Sequence, residues 1–311
     1  MRVLVTGSSS HLSKVLLPAL CRHPEVKQVT GIDIKPSHFQ DGKFNEHILD
    51  IRDEKINEII KQHDAVIHTA FIVLRSSLGK ERKNRELARD ININGSINVF
   101  NAATKNKLNC IIHISSASVY GALENNPENL TEEHPRQVMK GFSYAEDKNE
   151  IEDWMEQQNK NNTTRLIRFR PHVILGPNAQ TFLLQLLKQP FYPYFKNPQP
   201  KIQCIWEDDV VDAIIKALFS NAQGAYNLAA SATSFKELIK TTHTLALPVP
   251  FSLTKLIQNI SWHFSGKLEE PGWIDGMQYS LSLDARKAER ELNWKASKSS
   301  LQCAIDVLKE N

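Results

Sequence analysis

Short apolar runs alternate with helix-patterned segments through the first half of the chain, and few folds accept that rhythm. Arg2–Thr6, Val26–Asp33, Phe44–Asp50, Asp64–His68 and Cys110–Ser115 are rich in valine and isoleucine and mostly apolar on both faces. Buried parallel strands have that composition, because helices cover both sides of the sheet. Helical patterns fill the gaps at Leu12–Arg22, Asp53–Gln62 and Lys83–Lys105, with Pro18 placed to kink the first. The alternation predicts an α/β, Rossmann-type doubly wound parallel sheet. A helix over Phe142–Gln158 and a strand over Arg165–Phe169 continue it.

After Pro171 the rhythm breaks at Pro177, Pro190, Pro193, Pro198 and Pro200. Helical patterns return at Asp208–Ser220, Ser234–Thr242, Leu253–Phe264, Arg286–Leu292 and from Ser300. The expected organisation is a dinucleotide-binding unit over 1–170 and a smaller, mostly helical substrate lobe over 171–311 with elements returning to the sheet. Leu253, Leu256, Ile257, Ile260 and Phe264 share one helical face, expected to pack on the core, or else to line a greasy pocket or partner surface.

Composition narrows the function classes. A net charge of +3 with no basic block argues against nucleic acid as the main partner. The polar stretch Gln157–Asn162 has the character of a solvated helix end. Cys21, Cys110, Cys204 and Cys303 are far apart with no C-x-x-C, so reduced thiols and a cytoplasmic setting are expected, without a metal site. Met1–Gly7 is too short an apolar run for a leader peptide. No stretch approaches the roughly 18 apolar residues of a membrane span.

The first strand ends at Gly7 and a helix follows, so backbone N–H groups face the place where a pyrophosphate can sit. Asp33 closes the second strand 26 residues after Gly7, where a carboxylate can hold an adenosine ribose and favour NAD over NADP. Lys35 blurs that preference. The expected G-x-x-G-x-x-G reads Gly7-Ser8-Ser9-Ser10-His11-Leu12-Ser13, so serine brings a Cβ to two positions where close backbone approach is wanted.

Further motifs keep one order along the chain: Val3–Gly7, Asp50-Ile51-Arg52, Val66–Ala70, Asn92–Val99, Ser115–Gly121, Tyr144-x-x-x-Lys148, Arg170-Pro171, Gly176-Pro177, Asp208-Asp209 and Leu292-Asn293-Trp294. In this combination the chain resembles the extended short-chain dehydrogenase/reductase family, the NAD-dependent epimerase/dehydratase group. The resemblance implies that Gly7, Ser10, His11 and Leu12 cradle the cofactor and Asp33 holds its adenosine ribose. It implies that Asp50 and Ile51 flank the adenine, that His68, Thr69, Ala70 and Ser115 line the cofactor, and that Asn92 anchors the turn beneath it. Pro171 would lie near the nicotinamide. It further implies a homodimer joined through Lys83–Lys105 and Tyr144–Gln158.

Ser116, Tyr144 and Lys148 are the catalytic candidates. Tyr144 and Lys148 lie four residues apart on one helix face, so the ammonium is expected to favour the phenolate and make it a usable base. The Ser116 hydroxyl can donate to a substrate oxygen as charge develops there.

The expected reaction is hydride transfer between a small-molecule carbinol or ketone and NAD. Family dehydratases carry an Asp-Glu pair where this chain has Ala117 and Ser118, which argues against simple dehydration. Sugar-nucleotide epimerases often hold a diphosphate with an asparagine and an arginine where this chain has Val173 and Ile202, and Lys201 offers only a point charge. The first reading is a sugar or sugar-nucleotide epimerase. The alternatives are an NAD(P)-dependent dehydrogenase or reductase of a hydrophobic alcohol or ketone, and a non-catalytic dinucleotide-binding regulator.

Overall fold

The computed structural model describes residues 1–73, 81–158, 163–179, 182–188, 191–195, 199–241, 245–264 and 270–310. The strands are β1 (Arg2–Thr6), β2 (Gln28–Asp33), β3 (Phe44–Ile48), β4 (Ala65–His68), β5 (Cys110–Ile114), β6 (Arg165–Pro171) and β7 (Val173–Leu175). They continue with β8 (Phe191–Phe195), β9 (Lys201–Ile202), β10 (Cys204–Trp206), β11 (Gly224–Leu228), β12 (Thr233–Ser234) and β13 (Leu245–Val249). The helices are α1 (Ser13–Arg22), α2 (Ile56–Ile60), α3 (Glu81–Arg89), α4 (Ser96–Lys105), α5 (Ser143–Gln158) and α6 (Phe182–Leu187). α7 (Glu207–Leu218), α8 (Phe235–Thr241), α9 (Phe251–Phe264), α10 (Gly272–Asp275), α11 (Arg286–Leu292) and α12 (Ser300–Lys309) complete them.

The central sheet has seven strands in the order β11-β6-β5-β4-β1-β2-β3. All its neighbours pair in parallel. The chain moves outward from β1 through β2 to β3, then returns to lay β4 on the other side of β1. That reversal opens a crevice at the carboxyl ends of β1 and β4, where doubly wound sheets place ligands. Gly7 and Thr69 follow those two strands directly.

Successive strand residues point to opposite faces, and the core divides accordingly. Val3, Val5, Ile112 and Ile167 face α1 and α7, joined by Ile214 and Trp294. Leu4, Val66 and Ile111 face the other way, onto Val99, Phe100 and Ile151. The first core thus takes residues from both halves of the chain, and β11 joins the sheet beside β6.

Four sequence expectations are corrected. The helix expected over Lys83–Lys105 is interrupted by a wider π-helical turn, Asp90–Gly95, between α3 and α4. Helix α1 runs unbroken through Pro18. The C-terminal segment holds more strand than expected: β7 with β10, β9 with β12 and β8 with β13. The apolar stripe on α9 faces outward, with Leu253, Leu256, Ile257 and Ile260 each about half exposed while Gln258 is buried. Asn159–Asn162, Thr242, Pro190 and Pro198 lie outside the described residues. Among the described residues, no helix is long and apolar enough to cross a membrane.

Several histidines are buried in the neutral form. Burial lowers His68 to about 3 and His172 to about 4, and it lowers His63 and His113 as well. In an unfolded chain such rings take up protons near pH 6.5. The unfolded state therefore binds more protons below about pH 6.5, and stability falls as the pH drops through that point. A series of thermal melts between about pH 7 and pH 4 is expected to show a steady fall in Tm. A flat Tm across that window would mean that the rings are charged in the fold.

Candidate active site

The turn after β1 needs its glycine. Gly7 has φ +77°, and a Cβ there would lie 2.5 Å from the Ala70 amide nitrogen and 2.7 Å from Thr69 Oγ1. The serines that replace the other glycines form a hydroxyl knot. Ser13 Oγ donates to the Gly7 carbonyl (2.8 Å), Ser10 Oγ donates to Ser13 Oγ (2.9 Å), and Thr69 Oγ1 donates to the Thr6 carbonyl (2.8 Å). Ser10 and Thr69 hydroxyls lie 3.1 Å apart. Ser13 is buried beneath the turn, whereas Ser10 and Leu12 face a cavity.

That cavity has a volume of about 400 Å³ and lies along the carboxyl edge of the sheet. Thr69, Ser115, Ser116, Tyr144, Lys148 and Pro171 line it together with Ser10 and Leu12. The catalytic candidates and part of the nucleotide turn therefore share one space.

Ser116 ends the β5 edge in extended backbone and begins a short turn over Ala117–Tyr120, its Oγ accepting from the Ser118 amide (3.2 Å). Its hydroxyl faces the same cavity as the Tyr144 phenol and accepts from the Ser118 hydroxyl (3.0 Å). Tyr144 is the second residue of α5 and packs edge-on against Phe71 and tilted against Phe142 and Trp273, with ring centroids 5.4, 5.8 and 5.2 Å away.

One expectation of the chemistry is corrected. Lys148 is buried one turn along α5, but its Nζ donates to the Ile114 carbonyl (2.6 Å) and sits 3.8 Å over the Phe71 ring. Burial raises the Tyr144 phenol above its ordinary value, and the nearby Ser116 hydroxyl only opposes that. The lysine itself is lowered to about 7 by burial, against the charges of Asp147 and Glu152. The phenolate is therefore not favoured in this arrangement, because the ammonium is turned to a carbonyl and an aromatic face.

The remaining candidates are spread around the crevice. Asp33 accepts from the Ser9 amide (3.0 Å), so the carboxylate braces the turn, and from the Lys35 amide (3.2 Å). Asp50 is paired with Arg52 (2.6 Å), which holds its carboxyl below the usual range. Ile51 is buried, and a Cβ on Gly95 would meet it at 2.6 Å. His68 lies inside the core rather than on the cavity, bridging Thr6 Oγ1 (2.6 Å) and Ser96 Oγ (2.8 Å). Ala70 and His11 are partly exposed. Asn92 clamps the chain after β4, accepting from the Ile72 amide (2.8 Å) and donating to its carbonyl (3.0 Å) and to Asp147 (2.9 Å).

Ser115 donates to the fully buried Glu152 (2.5 Å), whose carboxylate also takes Arg170 Nη2 (2.5 Å) and lies 3.6 Å from Arg168. Burial pushes that carboxyl up, but the two guanidiniums and the serine outweigh it and hold it below the usual range.

Sequence reading missed Phe71, Phe142, Trp273 and Glu270. Phe71 follows Thr69-Ala70 directly and could have been found there. Trp273 and Glu270 come from a segment with no motif.

With fold and site in view, the family can be given. A model of the NAD dependent epimerase/dehydratase family matches residues 3–229, and the chain belongs to that family of enzymes. Among curated relatives, an uncharacterized protein of Mycobacterium tuberculosis is 23% identical over 257 residues, 80% of this chain and 67% of the relative. The N-acetyl-alpha-D-glucosaminyl-diphospho-ditrans,octacis-undecaprenol 4-epimerase of Escherichia coli O157:H7 is 30% identical over 190 residues, 60% of this chain and 53% of the relative. Among solved structures, the UDP-glucuronic acid 4-epimerase of Bacillus cereus, in complex with UDP-glucuronic acid and NAD, matches with TM-score 0.78 and 20% identity, covering 100% of this chain and 99% of that one. The UDP-glucose 4-epimerase of Thermotoga maritima, with UDP-glucose, gives TM-score 0.76 and 17% identity, covering 100% and 98%. At such identities these structures speak for the fold.

Proposed function

We propose that the protein binds NAD and moves a hydride to and from a substrate carbinol carbon, with Tyr144 as base, as a sugar or sugar-nucleotide epimerase. The observation that carries this is that Ser116 and Tyr144 line one cavity with Lys148, one helical turn on, and with residues of the turn after β1. The residues fit the cofactor: Gly7 leaves no room for a Cβ beside Ala70, and Ser10, Leu12 and Thr69 face the same space. Bound NAD would supply a hydride acceptor at its nicotinamide ring. Tyr144 would take the carbinol proton, Ser116 would steady the substrate oxygen, and Lys148 would turn from the Ile114 carbonyl to stabilise the phenolate. Residues 1–170 would hold the cofactor and 171–311 most of the substrate. A homodimer through α3–α4 and α5 belongs to the same reading.

A second reading, oxidation or reduction of an apolar alcohol or ketone, draws support from the lobe side of the cavity. Val173 and Ile202 line it, together with Leu183, Phe235, Met277 and Leu281. A diphosphate carries charge that such walls cannot pair. Lys201, also on the lining, is already 3.3 Å from Glu128.

One pair of measurements separates the readings. Protein purified without added ligand and denatured is expected to release NAD, and incubation with UDP-glucose or UDP-glucuronic acid is expected to yield the 4-epimer with no net NADH. NADH formation with a long-chain secondary alcohol and no change in the UDP-sugars would select the second reading. Replacing Ile202 with arginine is then expected to tighten UDP binding about tenfold, roughly the 1.4 kcal/mol of one charge-assisted hydrogen bond.

A further inference from the structure

The first turn of the helix that carries Tyr144 is held by a carboxylate from the other end of the chain. Glu270 is 7% exposed. It accepts from the Ser143 amide (3.0 Å) and the Ser143 hydroxyl (2.8 Å). That N–H opens α5 and has no partner within the helix. A carboxylate there satisfies it and meets the positive end of the helix dipole.

Its neighbours close on the same tyrosine. Gly272 lies against Phe142, where a Cβ would come within 2.4 Å of the ring. The Trp273 ring meets Phe142 edge-on at 5.0 Å and Tyr144 at a tilt at 5.2 Å. Its amide donates to the Glu270 carbonyl (3.0 Å), so Glu270 and Trp273 move as one turn. On its far side Glu270 feels the charge of Arg85, whose guanidinium is paired with Asp147 on α5 (2.8 Å).

We propose that Glu270 is a positioning residue. The carboxylate of the C-terminal lobe fixes the first turn of α5, and the Trp273 ring it carries sets where the Tyr144 phenol stands relative to Ser116 and Lys148. This rests on Tyr144 acting as the base.

The test is a titration of the Tyr144 phenol in protein loaded with NAD. Ultraviolet phenolate absorbance is followed against pH, and the same curve from Tyr144→Phe is subtracted to leave Tyr144 alone. In the natural chain NAD is expected to lower the midpoint. In Glu270→Ala the midpoint is expected to sit about one pH unit higher than in the natural chain, about tenfold less phenolate at a given pH, with NAD affinity within about twofold. Glu270→Gln keeps an acceptor for the Ser143 amide and is expected to restore the midpoint. Ser143→Ala, a gentler change, is expected to move it the same way by a smaller step, and it carries the test should Glu270→Ala fail to fold.

An NAD-lowered midpoint that is the same in Glu270→Ala and Ser143→Ala as in the natural chain would overturn the proposal and leave the base intact. So would a Glu270→Gln protein that behaves like the alanine variant. If NAD does not lower the midpoint in the natural chain, the Tyr144 reading itself fails, and the proposal with it.

Discussion

Replacing Tyr144 with phenylalanine is expected to lower turnover by about a hundredfold to ten-thousandfold, the range that a positioned acid–base group contributes. The ring keeps its contacts with Phe71, Phe142 and Trp273, so the fold and NAD affinity should change little. Only the hydroxyl is lost. The effect therefore belongs in kcat, read as epimer formed or NADH produced with the substrate that the Proposed function experiment selects. Turnover within about threefold of the natural chain, with NAD still bound, would remove Tyr144 from the chemistry and leave the family's enzyme activity to other groups.

Removing Glu152 is expected to give the largest loss of stability. It is fully buried and answers Arg170 (2.5 Å), Arg168 (3.6 Å) and Arg136 (3.9 Å) at once. Arg170 is itself buried and also donates to the Tyr120 hydroxyl (2.6 Å). Glu152→Ala leaves the buried Arg170 without its carboxylate partner, while Arg168 keeps Glu156 (3.0 Å) and Arg136 keeps Asp153 and Glu156 (both 2.7 Å). Breaking one side of a buried pair in this way costs about 3–5 kcal/mol, out of a total stability of roughly 5–15 kcal/mol for a folded domain. Denaturant midpoints read the loss. A matched Glu152→Leu, Arg170→Leu double variant should recover part of it, since no unpaired charge then remains at the centre of the cluster. A single variant that loses less than about 1 kcal/mol would mean that water reaches the cluster and screens it.

Much of the sheet was legible because its strands are local. A buried parallel strand is written in four or five consecutive residues, as Arg2–Thr6 and Ala65–His68 are, and it needs no knowledge of its neighbours. Ser116, Tyr144 and Lys148 were legible as a spaced set, and the structure puts all three on one cavity. What the chain did not disclose depends on contacts between distant segments. Glu270 reaches Ser143 across 127 residues, and no pattern near either one announces the other. The direction of Lys148 was misjudged for a similar reason: helical spacing brings it near Tyr144, but the Ile114 carbonyl and Phe71 decide where its ammonium goes. Helical periodicity likewise marked the stripe on α9 without saying which way it turns, and the structure leaves it half exposed.

The widened turn at Asp90–Gly95 carries a consequence for how the sequence can change. It holds one more residue per turn than the helices on either side, so it resets the rotational phase between them. Asn92, within that turn, grips Ile72, while Ser96, just after it, meets His68. Deleting a single residue there would let the helix run on with its backbone bonds intact, yet swing everything before the deletion by about 100° relative to everything after it. One of the two grips would then be lost whichever residue was removed. The segment tolerates exchange of its side chains far better than a change in its length.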